Sequence, residues 1–249
     1  MFDPSVPLLV TVAATFFAAG VVKGVTGMGL PTVAMGVLGA ALSPLAAANL
    51  LIIPSAVTNV WQLLAGPSLG ALIRRFWPMM LTIVAGTILG SAWLAAGDTG
   101  VTTTALGIAL VFYSAYTLFA SQLDIDRYKE TWLSPLVGAV TGLITGGTGV
   151  FVIPAVPYLQ ALRLGKDDLV QALGLSFTVS TLALAAGLGI RGAFQAENLA
   201  LSGLAVVPAL AGMWFGQILR TRISPPLFRK IFLFSLLALG FEISLRPLL

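Results

Sequence analysis

Apolar residues run along this chain in long blocks, separated by short polar or glycine- and proline-rich connections. A helix that crosses the hydrocarbon core of a bilayer needs about 20 mostly apolar residues. Residues 44–65, 78–96, 101–120, 168–188, 198–219 and 227–247 meet that requirement, and each predicts a spanning helix. The polar stretches 66–77, 121–132 and 220–226 join them.

Two further apolar regions, 8–42 and 133–162, are too long for one helix and awkward for two. A cluster of glycine and threonine cuts each: Gly24-Val25-Thr26-Gly27-Met28-Gly29 in the first, Thr145-Gly146-Gly147-Thr148-Gly149 in the second. The pieces beyond the cuts, Leu30–Leu42 and Val150–Leu162, reach only about 20 Å at 1.5 Å per residue. That falls short of the roughly 30 Å core, so the pattern predicts broken helices or re-entrant hairpins. Such backbone is tolerated at membrane depth only inside protein or beside a water-filled cavity.

The pattern also repeats. Gly27-Met28-Gly29 matches Gly147-Thr148-Gly149. Asn49, Pro54 and Thr58 match Gln171, Ser176 and Ser180 at an offset of 122, and Gly86 and Gly90 match Gly212 and Gly216 at an offset of 126. The predicted organisation is a first repeat over 1–120, a linker over 121–132 and a second repeat over 133–249. Loop charge discriminates between topologies. If each broken segment crosses once, the basic loop residues divide six against six. If each returns to its own side, or crosses twice, Arg74, Arg75, Arg127, Lys129, Arg163, Lys166, Arg220, Arg222, Arg229 and Lys230 share a side, opposed by Arg191 and Arg246. The positive-inside rule prefers the second arrangement. It places the linker in the cytoplasm and both termini outside it. The expected fold is therefore an all-α integral membrane protein with two inverted repeats, each one broken segment plus three transmembrane helices, in the cell membrane.

Composition agrees: 58% of the 249 residues are hydrophobic and 9% charged, against about 25% charged in soluble domains. Cysteine and histidine are absent, which excludes disulfides, thiolate metal sites and imidazole chemistry. No metal or cofactor is expected. The net charge of +4 lies in short loops without interleaved aromatics, a pattern that argues against nucleic acid. The start, MFDPSVP, lacks a basic n-region, so the first apolar run reads as part of the mature protein.

The glycine clusters carry the candidate chemistry. Glycine lets the backbone turn sharply and approach a ligand closely. Each cluster precedes a short helix whose first amides have no intrahelical partner and whose dipole adds positive charge. Two such starts facing each other near the midplane would hold a small anion. The expected backbone contacts are Gly27, Met28, Gly29, Gly147, Thr148 and Gly149, and the expected side-chain contacts Thr26, Thr145, Asn49, Asn59 and Gln171. Lys23 abuts the first cluster, either attracting the anion or snorkelling to an interface. No Asp or Glu lies in the middle of a span, so no carboxylate proton relay is visible. Export down the membrane potential would gain about 2.3 kcal/mol per charge per 100 mV. The expected partners are a small anionic solute and membrane lipids. Small-xxx-small spacings read as packing contacts and leave a homodimer open. Two alternatives stay open: a non-transporting scaffold, and a cation carrier using carbonyls at half-helix ends. An enzyme is not expected, because the spans carry no acid–base pair or metal cluster.

The segments KGVTGMGLPTVAM, LLIIPSAVTNVWQLL and TGGTGVFVIPAVPYLQALRLGKDDLVQALGLSFTVSTLALA resemble the sulfite exporter TauE/SafE family along essentially the whole chain. The resemblance implies a transporter of small anions such as sulfite, sulfonates or related organic acids. It also implies that Gly27, Gly29, Gly147, Gly149 and Pro154 occupy family motif positions. Many members carry three successive glycines where this chain has Gly27-Met28-Gly29 and Gly146-Gly147-Thr148-Gly149.

Overall fold

The computed structural model describes residues 6–120, 124–195 and 198–246. The start of the expected linker, 121–123, and the last position of the expected 227–247 span lie outside them. Eleven helices follow in order: α1 (Val6–Thr26), α2 (Leu30–Ala41), α3 (Pro44–Leu64), α4 (Leu69–Ala95), α5 (Thr99–Phe119), α6 (Glu130–Thr148), α7 (Ala155–Ala161), α8 (Lys166–Ile190), α9 (Leu199–Leu204), α10 (Val206–Arg220) and α11 (Pro225–Leu245). The described residues contain no strand.

Among the described residues six helical stretches are long and apolar enough to cross a membrane: α1, α3, α4, α5, α8 and the continuous run Leu199–Arg220 formed by α9 and α10. Five of these match expected spans, and the sixth is the first limb of a broken segment. The expected span over 227–247 is α11, which falls outside this set. Every 18-residue stretch of it contains Arg229, Lys230 and Glu242, three charges that are costly in hydrocarbon. It nonetheless lies against the spanning helix α5. Large apolar side chains such as Trp77, Leu89, Phe112, Trp214 and Phe234 point outward. They form the surface that lipid covers, and the core is held by close helix contact.

Glycine sets that contact, because lipid gives apolar surfaces no extra drive to associate and backbone proximity must supply it. In α6, a Cβ on Gly142 would stand 2.9 Å from the Gly86 Cα, and across the same contact a Cβ on Gly90 of α4 would stand 3.2 Å from the Gly146 Cα. In α1, Gly20 presses on Ala209 and Met213, and Gly24 on Gly216. The contacts correspond: α1 runs parallel to α10 as α6 runs parallel to α4. Positions 20 and 24 map to 142 and 146 at an offset of 122, and 83, 87 and 90 map to 209, 213 and 216 at 126.

The other corresponding helices pair antiparallel. Along α3 and α8, Asn49 Nδ2 donates to the Ala193 carbonyl at 3.2 Å just beyond α8, Ser55 Oγ lies 3.1 Å from Thr181 Oγ1, and Gln62 Nε2 donates to the Val170 carbonyl at 2.9 Å. Along α5 and α11, Gly107 abuts Ser244 while Val111 abuts Gly240. Direction follows from these pairs. The ends of α3, α5 and α10 share one end of the bundle with the starts of α4, α6, α8 and α11. Arg75 pairs with Glu130 there, and Ser68 N with Gln171 Oε1. Arg191 and Arg246 close the last turns of α8 and α11 at the opposite end.

Both broken segments return towards the end they left. After α1, helix α2 runs beside α11, with Gly29 near Phe232, Gly36 near Leu236 and Leu239, and the Ala40 carbonyl accepting from Arg246 Nη1 at 2.6 Å. After α6, helix α7 returns to the start of α6, where Tyr158 Oη and Ser134 Oγ lie 2.6 Å apart. The second return differs from expectation. Val150–Ile153 is not helical, and the helix of Val150–Leu162 shrinks to Ala155–Ala161. Pro154 restricts the residue before it to extended backbone, and the branched side chains at 150, 152 and 153 favour the same.

Candidate functional site

The two breaks share a local design. Thr26 Oγ1 donates to the Val22 carbonyl at 2.8 Å and accepts from the Met28 amide at 3.3 Å. Thr148 Oγ1 donates to the Ile144 carbonyl at 2.6 Å and accepts from the Val150 amide at 3.2 Å. Gly27 (φ 78°) and Gly149 (φ 70°) then turn the chain through left-handed backbone, which glycine adopts without the cost a Cβ brings. Gly27 N donates to the Lys23 carbonyl and Gly149 N to the Thr145 carbonyl, each at 2.8 Å. The correspondence is therefore Thr26-Gly27 with Thr148-Gly149. The expected match of Gly27 to Gly147 is out of register by two. Gly147 is a helical residue whose Cβ would meet Trp93 at 3.5 Å.

These glycines close the helices before them, and only the first break also opens a substantial helix. Gly29 (φ 99°) caps α2, with Pro31 in its first turn. Helix α7 has seven residues, too few to offer an N-terminal anion site. Two facing helix starts thus reduce to one. The tips also do not meet at one level. Ser55 touches Thr181, and the offset of 122 maps 55 and 59 onto 177 and 181, so the two halves cross near residue 57 of α3. The Gly27 carbonyl accepts from Gln62 Nε2 at 3.1 Å. Gln62 lies about 8 Å beyond the crossing, towards the basic end, at 1.5 Å per residue. The second tip touches the middle of α2, where a Cβ on Gly149 would meet the Met35 side chain at 2.7 Å.

What does occupy the crossing is a polar cluster. Lys23, 3% exposed, donates through Nζ to Thr58 Oγ1 at 3.2 Å and to Asn59 Oδ1. Asn59 Nδ2 donates to Ser55 Oγ at 2.9 Å and to Thr181 Oγ1 at 3.3 Å. Among the described residues no carboxylate pairs with Lys23. The α8 hydroxyls of Ser176 and Ser180, within two turns of Thr181, are buried without a hydrogen-bond partner. Thr145 occupies the position that corresponds to Lys23, and its hydroxyl donates to the Thr141 carbonyl at 2.7 Å.

Two expected contacts have other tasks. Asn49 Nδ2 donates to the Leu45 and Ala193 carbonyls at 3.0 and 3.2 Å. Gln171 Nε2 donates to the Leu63 and Gly66 carbonyls at 2.7 and 2.8 Å. Both amide hydrogens of each are thus engaged, and neither side chain has a donor left for an anion. They sit at opposite ends of the α3–α8 pair and fasten its loops. Ser55, which is not among the expected contacts, belongs to the cluster. Its i, i+4 spacing to Asn59 is the signal that would have found it.

Access is unequal. Thr26, Gly27 and Met28 are half-buried, while Gly147, Thr148, Gly149 and Val150 are buried. A cavity of about 380 Å³ opens beside the first break, lined by Thr26, Met28, Thr117, Arg220, Arg229 and Lys230 among others. Comparison with known families now decides the class: the Sulfite exporter TauE/SafE model matches residues 12–243, a stretch that contains both breaks and the Lys23 cluster. The chain belongs to the Sulfite exporter TauE/SafE family. No curated protein and no solved structure matches it. As a TauE/SafE member with six apolar spans, the chain is a multi-pass membrane transporter.

Proposed function

We propose that this TauE/SafE protein exports a small anion, sulfite or an organosulfonate or related small organic acid, and that Lys23 is the centre of its site. The carrying observation is a buried ammonium whose partners are the neutral Thr58 and Asn59. A buried charge without a counter-charge costs several kcal/mol, and a bound anion offsets that cost. A lysine in that place repels a cation substrate, which disfavours cation transport. Thr58 and Asn59 hold the ammonium, Ser55 and Thr181 hold Asn59 in turn, and Ser176 and Ser180 offer hydroxyl donors to the anion. Gly27 and Gly149 let the two hairpins end close to this cluster from opposite directions.

The antiparallel pairing of corresponding helices is what two inverted repeats produce, and such repeats support alternating access around a site between them. With the ten-residue basic end in the cytoplasm, both termini face outward and the half-buried first break faces the cytoplasm. The reading is tested by flux of radiolabelled sulfite in proteoliposomes. Lys23→Met should lower the rate at least tenfold while eluting as a folded monodisperse protein, and Lys23→Arg should retain part of it. Unchanged flux in Lys23→Met would remove Lys23 from the site.

A further inference from the structure

The cavity beside the first break is a site of its own. We infer that Arg220, Arg229, Lys230 and Thr117 form a vestibule that binds an oxyanion before it reaches Lys23, an inference that rests on the transport reading above. Three cations line the cavity, two from the first turns of α11 and one from the end of α10, and among the described residues no carboxylate lines it. Among the described residues none of the three forms an ion pair, whereas Arg75, Lys129, Arg163 and Arg246 each do. Like charges gathered without a counter-charge repel one another, and an anion relieves that repulsion.

A second observation points the same way. Thr117 Oγ1, on the last turns of α5, is buried and has no hydrogen-bond partner among the described residues. A hydroxyl left without a partner carries a desolvation cost that a bound oxygen removes. Apart from Thr26, the remaining lining, Val25, Met28, Leu118, Pro225, Pro226 and Leu233, is apolar. The vestibule therefore accepts an oxyanion head against its cations and tolerates a short apolar body beside it. Thr26 and Met28 are common to the cavity and the break, so an anion held here stands one helical turn along α1 from Lys23. The basic residues that orient the protein thus also concentrate its substrate.

The shared chemistry is a tetrahedral or pyramidal oxyanion, which a free solute or a lipid headgroup can present. The test is equilibrium binding of radiolabelled sulfite to the full chain in nanodiscs of phosphatidylcholine. The wild type should show two classes of site. Arg229→Gln with Lys230→Gln should lose one class and keep the other, and Lys23→Met should lose the class that the first variant keeps. An unchanged isotherm in the Arg229/Lys230 variant overturns the vestibule. An unchanged isotherm in Lys23→Met overturns the central site and leaves the vestibule standing. Repeating the wild-type titration in nanodiscs containing phosphatidylglycerol separates the sources: two classes again support a solute vestibule, and loss of the Arg229/Lys230-dependent class assigns the cavity to lipid and overturns it. Should the double variant not fold, Thr117→Val serves in its place, with a several-fold weaker vestibule class expected and no change refuting.

Discussion

Two adjacent glycines of α6 should respond in opposite ways to the same methyl group. At Gly146 a Cβ would stand 2.5 Å from Ser91 N and 2.7 Å from the Gly90 carbonyl carbon, and closer still to the Thr87 carbonyl oxygen. All three are backbone atoms of α4, so relief requires the helices to separate by about 1 Å along a tightly packed line. Overpacking of this kind costs about 1–3 kcal/mol. Alanine's better helix propensity returns about 0.5–1 kcal/mol. At Gly147 the nearest atom is Trp93 Cε3 at 3.5 Å, an ordinary contact, so only the propensity gain applies. Gly146→Ala should therefore unfold below the wild type and Gly147→Ala at or slightly above it. The two should differ by roughly 2–12 °C, at about 2–4 °C per kcal/mol for a chain of this size. Thermal unfolding of the detergent-purified proteins, followed by size-exclusion elution, reads the difference. Equal midpoints, or the reverse order, would refute the α4–α6 contact described above.

Other substitutions separate packing from binding. Gly27→Ala meets no atom within 4 Å, so its cost is the left-handed backbone alone, about 1–2 kcal/mol, visible as a lowered unfolding midpoint. Asn49→Leu and Gln171→Leu should lower the midpoint yet leave the half-saturation concentration for sulfite flux unchanged; a rise in half-saturation would return them to the site. Glu130→Gln weakens a bidentate pair in which Arg75 Nε and Nη2 lie 2.6 and 2.8 Å from the carboxylate. It should cost about 1–3 kcal/mol, with a double-mutant cycle against Arg75→Gln recovering most of that as coupling.

The alternation of apolar blocks and loops made the helical membrane fold legible, and loop charge made the hairpin return of both broken segments legible. The register of the second break was not. Gly146, Gly147 and Gly149 look alike in sequence, but Gly146 is needed for the approach of α4 and Gly149 for its φ. Which role a glycine plays depends on the neighbouring helix, which lies far away in the chain. Asn49 and Asn59 illustrate the same limit. Both are amides on α3, yet one fastens a loop and the other holds Lys23, and only their partners, Ala193 just beyond α8 and Lys23 on α1, tell them apart. The cluster of Arg220, Arg229 and Lys230 was visible as charge, but its cavity arises from α1 and α5 arriving beside it.

The most direct measurement is the anomalous signal of selenite, a heavier analogue of sulfite, bound to crystals of the transporter. The account predicts a peak within hydrogen-bonding reach of Lys23 Nζ, among Asn59, Ser180 and Thr181. Peaks confined to the basic surface loops, with none beside Lys23, would contradict it.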